Sequence, residues 1–402
     1  MIRMNFLTQE ISISRWKVPF PVILWFGLTI IAVLLELSRG TDSIGNYLLF
    51  KQVFWHTLHE QNLYLKYPGQ HDDCNHYGPL FGVLIAPFAL LPVAIGCFLW
   101  CIVNAFILFY AVRKLPFSDN IKNIILLTGA VELMTSIHSL QFNPMLTGWI
   151  MFSFVLVENK KDFWATFFIV AGFLVKLYGI AGIVFFLFSS DKIKFAGSFI
   201  FWLIVLFCLP MFISSSHFTI QSHYDWFRVL IEKNSSNTDI FSGDRAQDIS
   251  VMGMLRRMTH ISGLANAWVL IPASLIILLP AFRIEQYDSI FFRLNYLSVA
   301  LISVVIFSTS AESPTYIIAV MGVAVWFAGQ CSPVPPGWVT CLLIAVIVFT
   351  SFSTTDLFPH YVSHTFFIGY SLKALPCFIV WIVIICQLLF KNFLPLKNLS
   401  YE

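Results

Sequence analysis

The sequence predicts an all-α, polytopic membrane protein, and three observations carry that prediction. Apolar residues make up 58% of the 402 residues and charged residues only 11%, against roughly 25% charged in a soluble domain. The apolar residues fall into runs, several of about 20 residues, the length at which a helix crosses a hydrocarbon core. Lys and Arg gather in the short turns between runs, whereas two long polar segments carry mixed charge, an asymmetry expected of an inserted chain. Mean hydropathy is +0.80. The net charge of +3 adds little, because the placement of Lys and Arg sets orientation.

Taken in order, Arg3, Arg15 and Lys17 precede an apolar run over 18–38. Its length and the lack of a small-x-small cleavage site predict an uncleaved first span with a cytoplasmic N-terminus. Residues 39–81 form the first long polar segment. Within it, Leu48, Val53, Phe54 and Leu58 recur at near-helical spacing between Ile44 and Gln61, as in a helix lying along a membrane surface. The stretch 77–91 is short for a span and holds Pro87, so a re-entrant or interfacial helix is expected. Further spans are expected near 92–110, 121–139, 145–158, 163–175, 177–190 and 195–214. After the second polar segment, 215–262, come 264–282, 289–308, 313–328, 337–352 and 370–389. Arg113, Lys160, Lys161, Lys194, Arg283, Arg293, Lys391 and Lys397 then lie in the cytoplasm. The expectation is about 12 spans with both termini inside. They form one integral-membrane domain over 1–402, with an outer loop at 39–91 carrying the chemistry. Of the eight cysteines only Cys74 falls in an outer loop, so no disulfide framework is indicated.

Carboxylates in or beside apolar runs are the main chemical signal: Glu36, Asp42, Glu132 and Glu312. Each costs a few kcal/mol there unless it faces a cavity or a partner. Glu132, in mid-run, reads equally as a site residue or as a packing carboxylate bound to a hydroxyl or to Lys176. Glu312 opens a run in Ser310-Ala-Glu-Ser-Pro314, where an anion at a helix start is also a cap. Asp42 stands about a turn past the first span, in a loop rich in aromatics. One carboxylate at a membrane–water boundary suits a general base for an acceptor hydroxyl; the structural alternative is a cap, by Asp42 or Ser43, for a helix starting at Ile44. His71-Asp72-Asp73-Cys74-Asn75-His76 holds metal-ligand residue types too crowded to reach one ion together. No metal or other cofactor is assigned from it, and metal dependence stays open. Lys176, apolar on both sides at the junction of two short spans, calls for a phosphate or carboxylate partner, or else snorkels. Arg245, Arg256 and Arg257 lie in the second outer segment, where Met252-Gly-Met-Leu-Arg-Arg-Met-Thr-His260 reads as an interfacial helix. Basic residues there bind lipid phosphate or simply sit among headgroups.

In this order the features resemble the integral-membrane glycosyltransferases of the GT-C fold that use polyprenyl phosphate sugars. Within these the chain looks like glycosyltransferase family 87, which includes phosphatidylinositol mannosyltransferases. The resemblance rests on Asp42-Ser-Ile-Gly-Asn-Tyr47, Asn62-Leu-Tyr64, His76-Tyr-Gly-Pro79, Leu91-Pro92 and Trp100. It continues through Gln141-Phe-Asn143, Ala171-Gly172 with Lys176, and Ser250 with Arg256. It covers roughly 36–330 through motifs that are short singly and specific in their order. The family's Tyr-Pro-Pro is Tyr77-Gly78-Pro79 here, its Gly-Gln is Leu140-Gln141, and its Lys-x-x-Pro is Lys176-Leu-Tyr-Gly179. A His common near 310–316 is missing, with Glu312 standing there instead.

The resemblance implies an inverting transfer of a sugar, such as the hexose mannose, from a polyprenyl phosphate donor to a lipid or glycan acceptor. The reaction would take place on the outer face of the plasma membrane. The sequence agrees in that nothing cytoplasmic is large enough to bind a nucleotide sugar, so an activated donor arrives within the bilayer. Asp42 is the expected base, with Glu312 the next carboxylate. Lys176 and Arg256 are the expected phosphate ligands, and Gln141, Asn143 and Tyr77 the expected lining of the donor cavity. No nucleic-acid partner is expected. The alternatives are a transporter or lipid flippase, with Glu132, Lys176 and Glu312 as its polar path, and a non-catalytic scaffold of envelope assembly. Against the transporter stand the lack of an evident inverted repeat and the two long outer loops.

Overall fold

The computed structural model describes residues 10–13, 16–71, 73–239, 246–261, 263–331 and 334–394. Arg3, Arg15, Asp72, Arg245 and Lys397 fall outside them. A short antiparallel hairpin, β1 (Glu10–Ile13) and β2 (Trp16–Pro19), leads into α1 (Phe20–Ser38). Pro21 sits in the first turn of α1, where a missing N–H leaves no bond unmade. A 3-10 turn, Thr41–Ile44, opens α2 (Gly45–Leu58), and a loop leads to α3 (Leu80–Ala89). Then follow α4 (Val93–Lys114), α5 (Asp119–His138), α6 (Asn143–Glu158) and α7 (Asp162–Val175), which a 3-10 helix, Leu177–Phe188, continues. Next come α8 (Lys192–Cys208), α9 (Ser216–Thr238), α10 (Val251–Thr259), α11 (Ala267–Leu278) and α12 (Ile290–Ile306). The chain closes with α13 (Tyr316–Gly329), α14 (Gly337–Val346), the single turn α15 (His360–Val362) and α16 (Ala374–Phe390).

The architecture is all-α, apart from the hairpin, and centres on α13. Every residue from Tyr316 to Ala328 is buried, as befits a helix apolar all round. α12 packs on one side of it and α5 on another; α1 lies against α4 and α5, and α6 bridges α4 and α7. At the rim, α11 buries only Ala273 and exposes Trp268, Ile271, Leu275 and Leu278, a surface suited to lipid. The protein is an integral membrane protein.

Against the 12 spans that the apolar runs predict, three helices among the described residues are long and apolar enough to cross a bilayer: Phe20–Ser38, Val93–Lys114 and Lys192–Phe212. Other apolar runs are cut into helices of 10–17 residues. The break expected at Lys176 is present as extended backbone between α7 and the 3-10 helix, whereas α11 runs on through Pro272 and a π-helical turn, Ile347–Ser351, continues α14. The helix expected in the first polar segment is present as α2, but it does not lie free on a surface. Tyr47, Leu49, Phe50, Val53, Phe54, His56 and Thr57 are buried, α3 packs against it, and Leu58 is left exposed.

One end of the bundle gathers basic turns. Arg293 forks onto Glu158 at 2.7 and 2.8 Å, Arg283 donates to the carbonyls of Leu388 and Lys391, and Gln286 donates to Asn392. α9 presents three faces. Ile220, Tyr224, Phe227 and Ile231 form an exposed apolar stripe, Gln221, Arg228 and Glu232 an exposed polar one, and Trp226, Lys233 and Asn237 turn inward.

Candidate active site

A cavity of about 1110 Å³ is lined by residues of α2, the loop after it, α9 and the stretch before α13. Its chemistry begins at the break between α7 and the following 3-10 helix. There the chain folds back so tightly that a Cβ on Gly179 would stand 2.2 Å from the Gly172 carbonyl carbon. Lys176, extended between the two helices, projects into the cavity. Its Nζ donates to Asn143 Oδ1 at 2.8 Å and lies 4.9 Å from the centre of the Tyr178 ring and 5.7 Å from that of Tyr77, within cation–π reach.

The polar contacts continue from there. Asn143 Nδ2 donates to Gln141 Oε1 at 2.6 Å and to the Pro314 carbonyl at 3.1 Å. Gln141 Nε2 donates to Glu312 Oε2 at 3.0 Å, and Lys233 Nζ lies 3.5 Å from Glu312 Oε1. Burial would raise the Glu312 carboxyl. The Lys233 and Lys176 ammoniums and hydrogen bonds from Gln247 and Gln141 outweigh it and hold the group below the usual carboxylate range. Glu312 is therefore ionised at neutral pH. Its backbone N–H also meets Thr315 Oγ1 at 3.4 Å, so the capping expected of this position is met from the residue three along.

Two departures from the family pattern have a geometric account. Leu140, where the family has glycine, takes a left-handed φ of 52°, an uncommon conformation for a branched residue, and Trp100 Nε1 holds its carbonyl at 2.8 Å. Gly78, where the family has proline, donates its N–H to Val175 O at 3.0 Å, and a Cβ there would stand 2.0 Å from Leu174 O. That close approach seats Tyr77 beside Lys176. Next to it, His76 lines the cavity; burial, then the Lys233 ammonium, push its imidazole down to about 4, so it is neutral at pH 7.

The structure thus brings together Lys176, Asn143, Gln141, Tyr77 and Glu312. It does not bring Asp42 or Arg256 into the group. Asp42 lies exposed in the 3-10 turn, caps no helix, and its carboxylate has no partner among the described residues; Asn46, one turn on, lines the cavity. Arg256 is wholly buried, with NH2 2.7 Å from Asp248 Oδ2 and NH1 on the Leu264 carbonyl and Asn266 Oδ1. Protein acceptors occupy its two terminal nitrogens, while Nε has no partner among the described residues. Its neighbour Arg257 is likewise engaged, by the carbonyls of Ile368 and Gln247. Glu132 pairs with Lys373 at 3.0 Å rather than with Lys176. Glu36 accepts from His138 Nδ1 at 2.5 Å and from Arg39 at 2.9 Å. In the polar run before His76, His71 Nδ1 bonds to the Asp73 carbonyl. No three His, Cys, Asp or Glu among the described residues are grouped to hold a metal ion.

Lys233 was not singled out from sequence, yet its ammonium lines the cavity 3.5 Å from Glu312, where Lys66 also lines it from the loop after α2. The signal was present: Trp226, Lys233 and Asn237 stand seven and four residues apart, on one face of α9.

Fold and cavity define an integral membrane protein with two ammoniums set about one half-buried carboxylate. The sequence matches glycosyltransferase family 87 over residues 75–310. The chain belongs to that family and is a glycosyltransferase. The matched stretch contains Tyr77, Gln141, Asn143, Lys176 and Lys233, while Asp42 and Glu312 lie outside it. No curated protein matches the chain. Among solved structures, ArnT from Cupriavidus metallidurans bound to undecaprenyl phosphate is similar at 12% identity, over 92% of this chain and 77% of that one, with a TM-score of 0.40.

Proposed function

We propose that the protein moves a sugar, a hexose such as mannose, from a polyprenyl phosphate donor to a lipid or glycan acceptor at the outer face of the membrane, with inversion, on a GT-C scaffold. The observation that carries this reading is the cavity in which Lys176 and Lys233 stand on either side of Glu312, linked through Asn143 and Gln141. Leu177, Leu230, Leu270 and Phe307 line the same cavity, so a ligand with a charged head and an apolar tail suits it.

In the reaction, Asp42 takes the proton of the acceptor hydroxyl. The oxygen forms its bond to the anomeric carbon as the bond from that carbon to the phosphate oxygen breaks. The electron pair leaves with the polyprenyl phosphate, whose added negative charge Lys176 and Lys233 stabilise. Asp42 suits the base because its carboxylate is exposed and uncommitted near the cavity, whereas Glu312 is held ionised by its neighbours and serves to hold the two ammoniums. Gln141, Asn143 and Tyr77 contact the donor.

The test is transfer by the purified protein in detergent, given polyprenyl phosphate mannose and a lipid-acceptor extract. The expected product carries the sugar with the opposite anomeric configuration to the donor, and forms more slowly at sub-saturating donor in Lys176→Met. No transfer with this donor, or retention of configuration, overturns the reading.

A further inference from the structure

A second polar centre lies behind the cavity, wholly inside the bundle. Glu132 of α5 and Lys373, at the start of α16, pair at 3.0 Å with both side chains fully buried. A buried pair of this kind seldom adds net stability over an apolar replacement of the same volume, which directs attention to what else it holds. Lys373 Nζ also donates to Ser313 Oγ at 2.7 Å and approaches the Ser313 carbonyl at 3.4 Å. Ser313 is the residue after Glu312. Ser313 Oγ in turn lies 3.0 Å from Thr354 Oγ1.

The turn that carries Lys373 grips the other side of Glu312 as well. Ser371, at a left-handed φ of 55°, donates to the Asp248 carbonyl at 3.0 Å. Arg257 spans from the Ile368 carbonyl to that of Gln247, at 3.0 and 2.8 Å, and also bonds Ser371. Gln247 lines the cavity with Glu312, and Ile249, two residues on, donates its N–H to the Ala311 carbonyl at 2.8 Å. The backbone on both sides of Glu312 is therefore tied to the turn that carries Ser371 and Lys373, and Glu132 neutralises the cation at the centre of that tie.

We infer that Glu132 and Lys373 are positioning residues for the donor site, fixing the Glu312 carboxylate between Lys176 and Lys233. The inference rests on the reading of the cavity as the donor site. Neither residue touches donor or acceptor; both act through Ser313.

The test is a double-mutant cycle on the full-length protein in detergent, with polyprenyl phosphate mannose as donor. Lys373→Met alone strands the Glu132 charge and is expected to lose folded protein. The double variant Glu132→Leu/Lys373→Met leaves no charge unpaired and is expected to keep its Tm within a few degrees. It should raise the donor KM by about 10-fold with kcat at saturating donor within about 3-fold, the pattern of lost ground-state binding. Glu132→Gln strands the Lys373 charge in the same way and is likewise expected to lose folded protein. Should the double variant not fold, Ser313→Ala cuts the same tie without touching either charge, and a rise of about 3-fold in donor KM is expected. A folded double variant, or a folded Ser313→Ala, with wild-type donor KM overturns the inference and leaves the pair a packing feature. Lys176→Met separates the two readings. If it weakens donor binding while the Lys373 and Ser313 variants do not, only the positioning role falls. If it leaves donor binding unchanged, the donor-site reading falls and takes the positioning role with it.

Discussion

Lys176 stands between Val175 and Leu177, and an ammonium there needs acceptors near it. It finds the Asn143 amide oxygen and two aromatic rings, contacts that still leave it donors for a ligand. Lys176→Met should raise the donor KM at least about 10-fold while the protein stays folded, read from transfer rates against donor concentration. Asp42→Asn keeps volume and loses the ability to take a proton, so turnover should fall roughly 10²–10⁴-fold with little change in Tm. Ser43→Ala beside it should leave turnover unchanged. Near-normal turnover in Asp42→Asn moves the base elsewhere, with Glu312 next. For Glu312 the sign of the pH dependence is set. Its folded pKa is depressed, so its pairing with Lys233 is present above the unfolded value near 4.3 and lost as pH falls through the lower folded value. Donor KM should therefore be flat from about pH 8 to about pH 5 as far as Glu312 governs it. A break near pH 6 that disappears in Glu312→Gln contradicts this. At this scale the sequence could be read where a polar residue breaks an apolar run, as at Lys176 and Glu312, while Gln141 and Asn143 came through the family resemblance. At Arg256 the pattern did not show the local partner, Asp248, eight residues earlier at the entry to α10. It was silent on Lys233, one charge among several on a polar helix.

Between elements, the closest approach near the site is Gly78 on the backbone of α7. Adding one methyl there, Gly78→Ala, meets Leu174 O at a distance no contact tolerates, and must push the loop off α7 or distort it. The expected cost is about 1–3 kcal/mol, seen as a lower Tm in detergent, with a higher donor KM because Tyr77 moves with the loop. A variant with unchanged Tm and kinetics would show that this approach is not needed. The lengths of the apolar runs made α1, α4 and α8 readable in advance. The break at Lys176 was readable as well, because a charged residue interrupts an apolar run there; the π-turn that continues α14 was not, since composition does not distinguish it from an α-helical turn. The helix α2 was readable by its spacing, but its buried face was not, since α3 determines which side is covered.

Across the whole molecule, the end of α6, the start of α12 and the end of α16 share the basic turns, while the cavity takes Gln141 before α6 and Val304 and Phe307 from the other end of α12. If those turns are cytoplasmic, cysteines at Ser236 and Leu357 should react with an impermeant thiol reagent on intact cells, and cysteines at Asn159 and Lys194 should not. Cys74, Cys208, Cys331, Cys341 and Cys386 are replaced first, since none of them is buried. Labelling at Asn159 would invert the assignment. α9 has a consequence of a different kind. The helix that carries Lys233 inward shows Ile220, Tyr224, Phe227 and Ile231 outward, so one rigid rod is wetted by ligand on one side and by its surroundings on the other. A polar substitution on the outer stripe, Phe227→Ser, is then expected to raise the donor KM through Lys233, checked by transfer rates against donor concentration.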